Sequence, residues 1–183
     1  MAAYTSLAVL QKDPIMSELQ NTQSPEQSIF EMLGDQNEIT ISTAESITAG
    51  SVAARLAKPA GASAYVQGGI ISYAYEVKER ILGVPRTVLD NPGAVSDECA
   101  RRMAMGANRV LGSTIAISTT GIAGPSGATS RKSVGLVYIA IAGPYGTHCE
   151  EHVFPGDRDA ITNAATDRAV EMLAEYLHER LNT

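Results

Sequence analysis

The chain has 183 residues, 44% of them hydrophobic, and a formal charge of −6. That is enough chain for one domain with a substantial buried core. The acidic balance without a basic block argues against sequence-independent nucleic-acid binding, and no apolar run is long enough to span a bilayer. Cys99 and Cys149 are the only cysteines. They form no CxxC and no secretory signature precedes them, so a reducing cytoplasm is the expected compartment.

Residues 1–23 read as a polar, weakly patterned N-terminal extension, expected to be poorly ordered, ahead of a domain over 24–183. In "SPEQSIFEML", Ser24 can cap a helix, Pro25 suits its first position and Gln27 completes a capping box. Ile29, Phe30 and Leu33 give that helix an apolar face. "EITIST" (38–43) alternates and is β-branched, which predicts a strand. A helix over 48–58 follows, ended by Pro59-Ala60-Gly61. "QGGIISYA" (67–74) predicts a second strand and "YEVKERIL" (75–82) a short helix.

Ser96 caps a longer helix with Cys99, Met103, Ala107 and Val110 at helical spacing. "TIAIST" (114–119) predicts a third strand, and a Gly/Pro/Ser loop spans 120–133. "VGLVYIAIA" (134–142) has the continuous apolar run of a buried strand and pairs as a hairpin, through "GPYG", with "THCEEHVF". Asp157 opens a last helix reaching about Leu181. The order implies an α/β fold: a single three-layer α/β/α domain with a mixed, mostly parallel sheet.

In open sheets of this kind ligands collect at the carboxyl ends of strands. Ser46 falls just past the first strand. The N–H groups from Thr48 to Gly50 would then be free donors at a helix N-terminus, able to hold an oxyanion or a phosphate. Tyr73 ends the second strand and Lys78 lies one turn into the next helix. A lysine with a depressed pKa can deprotonate a serine without a histidine, and a tyrosine can relay the proton. The blander reading is a helix cap, a packing tyrosine and a solvated lysine. The glycines of "TGIAGPSG" permit backbone N–H groups to converge on an anion, although a Gly-rich turn is a common feature on its own. Lys132 and Arg158 could add positive charge for a phosphate.

His148 to His152 fits an H-x-x-E-H pattern, but that chemistry needs a helix. On a strand the two histidines sit about 13 Å apart, too far for one zinc, so no metal is expected there. The solvated face of an edge strand accounts for them.

Taken together, "TAESITAG", "GGIISYAYEVKERILGV", "AVSDECARRMAMGA", "TGIAGPSG" with "VGLVYIAIA", and "FPGDRDA" occur in this order over 38–170. The set resembles the CinA C-terminal domain family, also called PncC. The resemblance implies hydrolysis of nicotinamide mononucleotide to nicotinate mononucleotide and ammonia, with no cofactor. The family's serine, tyrosine and lysine fall on Ser46, Tyr73 and Lys78. Glu45, Thr48, Ala49, Gly50, Thr120, Gly121, Gly124, Lys132 and Arg158 form the expected substrate-binding set. The family usually reads A-E-S-C-T-G-G; here Ile47 replaces Cys and Ala49 replaces Gly. Tyr75 stands where the family has asparagine. The alternative is a pyridine-nucleotide-binding module without turnover, acting in competence or the DNA-damage response. The expected partner is a small nucleotide, with neither nucleic acid nor membrane. An apolar helix face and an edge strand lead to an expectation of self-association into a homo-oligomer.

Overall fold

In a computed structural model of the protein the described residues are 23–34 and 38–181. The expectation for the N-terminal extension therefore falls, apart from Gln23, outside them. Helix α1 (Pro25–Leu33) leads into β1 (Ile41–Glu45), α2 (Ser51–Leu56), β2 (Val66–Ile71), α3 (Tyr75–Arg80), α4 (Asp97–Leu111), β3 (Ile115–Gly121), β4 (Leu136–Gly143), β5 (Gly146–Val153) and α5 (Arg158–Leu181). The sheet order is β2-β1-β3-β4-β5. β1 runs parallel to β2 and β3, while β4 is antiparallel to both β3 and β5. Four strands thus point the same way, as expected, but the pairings divide evenly between parallel and antiparallel. The order reverses between β1 and β3, which puts the switch-point crevice at their carboxyl ends.

The two faces of the sheet are built differently. On one, Ile41, Ile115, Ile117, Val137, Ile139 and Ile141 pack against α1, α2 and α5. On the other, Ala44, Ala116, Ala140 and Ala142 meet α4, which presents Ala100, Ala104 and Ala107 with Cys99 and Met103. Small side chains on both surfaces let α4 approach closely, and Ser118 Oγ donates to Ala100 O at 2.6 Å. Gly106 shows the tightness: a Cβ there would lie 2.2 Å from Leu82 O, a backbone atom. Gly106→Ala is therefore expected to destabilise by about 1–3 kcal/mol through overpacking, despite alanine's better helix propensity. A urea midpoint shifted downward checks this, and an unchanged or raised midpoint contradicts it.

Several expected boundaries move. β1 begins and ends later than 38–43, because Ile41 is the first residue paired on both sides. The helix expected over 48–58 starts only at Ser51. Ala49 and Gly50 take left-handed backbone (φ 49° and 107°), so residues 47–50 form a turn instead. Ser24 occupies the N-cap of α1 but makes no side-chain cap bond, and the capping box is not formed. Its carbonyl takes the Gln27 and Ser28 N–H groups. Ser96 does cap α4, accepting from Cys99 N at 3.2 Å. Val110, expected on the buried face of that helix, is 46% exposed; the last turn instead directs Leu111 toward Gly68 of the edge strand β2. Among the described residues no helix is long and apolar enough to cross a membrane.

Candidate active site

The turn after β1 is tied to its neighbours on both sides. Ser46 N donates to Thr119 O of β3, and Glu45 O accepts from Ser72 N at the end of β2. Ser46 is thereby fixed at the switch-point crevice, only partly exposed. Lys78, on α3, reaches back under the same edge and is 1% exposed. Its Nζ lies 3.0 Å from Ser46 Oγ, 2.5 Å from Ser72 O and 3.4 Å from Tyr73 O. Burial pushes the Lys78 pKa below the ordinary lysine value of 10.5. Among the described residues no carboxylate forms an ion pair with it. The Cys99 thiol on the first turn of α4 opposes that shift, and burial drives the thiol itself up to about 11. A neutral amine has two hydrogens and one lone pair. In that neutral form, with the two carbonyls taking both hydrogens, the lone pair would face the serine hydroxyl, whereas the charged form donates to Ser46 Oγ.

A cavity of about 300 Å³ opens over this pair, within the range of small-ligand pockets. Ser46, Tyr73, Lys78, Thr120, Gly121, Gly124 and Arg158 all line it. Arg158 donates to Gly124 O at 2.9 Å and to Tyr73 Oη at 3.0 Å, bridging two sides of the rim. Tyr73 is 59% exposed. Its hydroxyl is held by Arg158 rather than placed between Ser46 and Lys78, which meet directly, so the geometry needs no relay.

Glu45, Thr48, Ala49, Gly50 and Lys132 lie apart from this lining. The Glu45 carboxylate is buried and accepts from the N–H groups of Gly50 (2.8 Å), Val52 (3.1 Å) and Ala53 (2.8 Å). It also accepts from the Thr48 and Thr43 hydroxyls at 2.6 and 3.0 Å. Of the N–H groups from Thr48 to Gly50 expected to be free donors, that of Gly50 is thus taken by a neighbouring side chain. Gly50 has no N–H left for an oxyanion, and the Thr48 hydroxyl, though not its N–H, is held between Glu45 and Thr119. Lys132, expected at a phosphate, instead donates to Pro92 O and Val95 O.

Sequence reasoning missed the Ser72 carbonyl, Tyr75, and the wall formed by Ala94 and Val95. Tyr75 was within reach, since it sits between the two residues already singled out. Nothing local marks 92–95, which is brought to the crevice by the path of the chain into α4.

His148 and His152 lie on β5, flanking Glu150. That face is not simply solvated, because Arg168 of α5 covers Glu150 and holds its carboxyl down to about 2. Among the described residues no three His, Cys, Asp or Glu side chains are grouped to hold a metal ion.

Residues 22–177 match the family described as the CinA C-terminal domain. The chain belongs to the CinA C-terminal domain family. A competence-damage inducible protein of Desulforamulus reducens is 46% identical over 152 residues, covering 83% of this chain and 36% of the relative. A CinA-like protein of Geobacter sulfurreducens is 45% identical over 139 residues, covering 76% and 34%. The chain thus spans about a third of the length of the curated relatives it matches. The crystal structure of the competence/damage inducible protein CihA from Agrobacterium tumefaciens superposes with a TM-score of 0.77 at 35% identity, over 84% of this chain and 95% of that one. A CinA superfamily protein from Klebsiella pneumoniae gives 0.79 at 29%, over 86% and 99%. The fold of this CinA domain is therefore that of a known family, as its ordered motifs imply.

Proposed function

We propose that this CinA domain hydrolyses the carboxamide of nicotinamide mononucleotide, giving nicotinate mononucleotide and ammonia. The observation carrying the reading is the buried amine of Lys78 set 3.0 Å from Ser46 Oγ at the floor of the crevice. A desolvated lysine is neutral at lower pH than a solvated one and can act as general base. Neutral Lys78 takes the hydroxyl proton, and Ser46 Oγ bonds to the carboxamide carbon. The resulting ammonium returns the proton to the departing nitrogen as the C–N bond breaks, releasing ammonia. Lys78 then deprotonates water, which adds to the ester carbon, and returns that proton to Ser46 Oγ as the ester C–O bond breaks, freeing the serine and restoring the neutral amine.

Of the turn after β1, only Ser46 and Ile47 line the cavity. In this reading the Ile47 N–H is the oxyanion donor, and one good donor contributes about 3–4 kcal/mol. Arg158 at the rim is the cation facing the 5′-phosphate, and the Tyr73 ring flanks the pyridine. The test is ammonia release from the mononucleotide by the wild-type chain and by Ser46→Ala. Equal rates would remove Ser46 from the nucleophile role. A binding-only reading, a nucleotide sensor without turnover, is favoured by Glu45 occupying the Gly50 amide, one of the donors an oxyanion would otherwise use. Calorimetric binding without detectable ammonia would select it.

A further inference from the structure

The segment 92–95, which runs from the last residues of the short helical turn Leu89–Gly93 toward the start of α4, has an uncommon bonding pattern. Four consecutive carbonyls each accept from a side chain. Pro92 O and Val95 O accept from Lys132 Nζ at 2.7 and 2.6 Å. Gly93 O accepts from Ser96 Oγ and Ala94 O from Thr120 Oγ1, both at 2.7 Å. No strand supplies these bonds, so the path of this segment is set by the three donors. Ala94 and Val95 form one wall of the cavity, and the loop after β3, including Gly124, Ser126 and Gly127, forms another. Lys132 belongs to that second loop. It is presented by a small turn in which Thr129 N donates to Lys132 O at 2.8 Å and Lys132 N to Thr129 Oγ1 at 3.1 Å.

We infer that Lys132 is a positioning residue: its ammonium clasps the two walls of the crevice together and sets the width offered to substrate. Ammonium-to-carbonyl bonds are about twice as strong as neutral ones. Two of the three ammonium hydrogens are committed to this clasp, and the side chain lies outside the cavity lining. Lys132 therefore acts on the ligand through Ala94 and Val95 rather than by touching it. Its effect should not depend on whether the ligand carries a phosphate.

The kinetic arm rests on the amidohydrolase reading; a second arm does not. In the first, Lys132→Met is compared with wild type on nicotinamide mononucleotide and on the riboside that lacks the phosphate. KM is expected to rise roughly tenfold for both, with kcat within about threefold and recovery in Lys132→Arg. Loss confined to the phosphorylated substrate would overturn the inference and make Lys132 a phosphate ligand. In the second arm, hydrogen exchange is followed in the ligand-free chain. Lys132→Met is expected to speed exchange both in 93–96 and in 126–135 while α5 keeps its protection. Unchanged exchange in those segments would overturn the clasp even if the chain turns over no nucleotide at all. Should wild type release no ammonia but the exchange arm succeed, the function proposed above fails and the clasp stands.

Discussion

Ammonia release from nicotinamide mononucleotide is expected to fall by roughly a thousandfold or more in Lys78→Met and in Ser46→Ala, and only the lysine variant is expected to gain stability. Methionine has nearly the same length and is apolar and adaptable, so it can fill the space under the sheet edge without the burial cost of an amine. That cost is visible as the lowered pKa of Lys78. The unfolded chain holds this proton up to the ordinary value of 10.5, whereas the native chain gives it up earlier. Between those two values the unfolded state binds more protons, so wild-type stability rises with pH through the window. Below the lowered native value both states are protonated and the full penalty for burying the charge applies. The advantage of Lys78→Met in urea midpoint should therefore be largest at low pH and shrink as pH climbs toward 10.5. Wild-type turnover should rise with pH as Lys78 loses its proton. A methionine variant strongly destabilised at every pH would mean that the bonds to Ser72 O and Tyr73 O outweigh burial, and that the lysine is a structural post rather than a tuned base.

Glu45→Ala is expected to cost about 4 kcal/mol or more, the largest stability loss of any single change considered for this chain. The carboxylate accepts five hydrogen bonds in a buried setting, three of them from the opening amides of α2. Truncation leaves those donors without partners, at about 1–3 kcal/mol each, offset in part by water entering the gap. Glu45→Gln keeps the shape but turns an N–H₂ group toward donors, and should cost about 2 kcal/mol. Chemical denaturation of the three proteins measures both differences. Because Ser46 follows directly, activity in Glu45→Ala should drop along with stability. A loss below about 1 kcal/mol would show that the turn is held by its own backbone and that the carboxylate is incidental.

How much of this was legible in the sequence depends on range. The strand-helix alternation and the order of β1, β2 and β3 were readable because β-branched runs and glycine punctuation are local, although each strand ends two or three residues from its expected end. The placing of Ser46 and Lys78 near one rim followed from those ends, since parallel neighbours align their carboxyl termini. Glu45 was read as a substrate residue because it adjoins the serine. Apart from Thr43, its actual partners are three to eight positions onward, across a turn whose left-handed residues include Ala49, a residue that does not advertise φ 49°. Lys132 was assigned by charge, although its partners at Pro92 and Val95 are about forty residues away. Val110 kept perfect helical spacing and is still exposed, because periodicity says which side of a helix is apolar and not where the sheet beneath it stops.

The alanine-on-alanine seam under α4 bears on how this scaffold would tolerate change. Alanine has no rotamer to adjust, so a bulkier residue there can be accommodated only by moving the helix as a rigid rod. That rod carries Cys99, which acts electrostatically on Lys78, and begins just past the Ala94–Val95 wall. Remodelling efforts should therefore leave that side untouched and draw their variation from the isoleucine-rich side, where branched chains can trade volume among themselves.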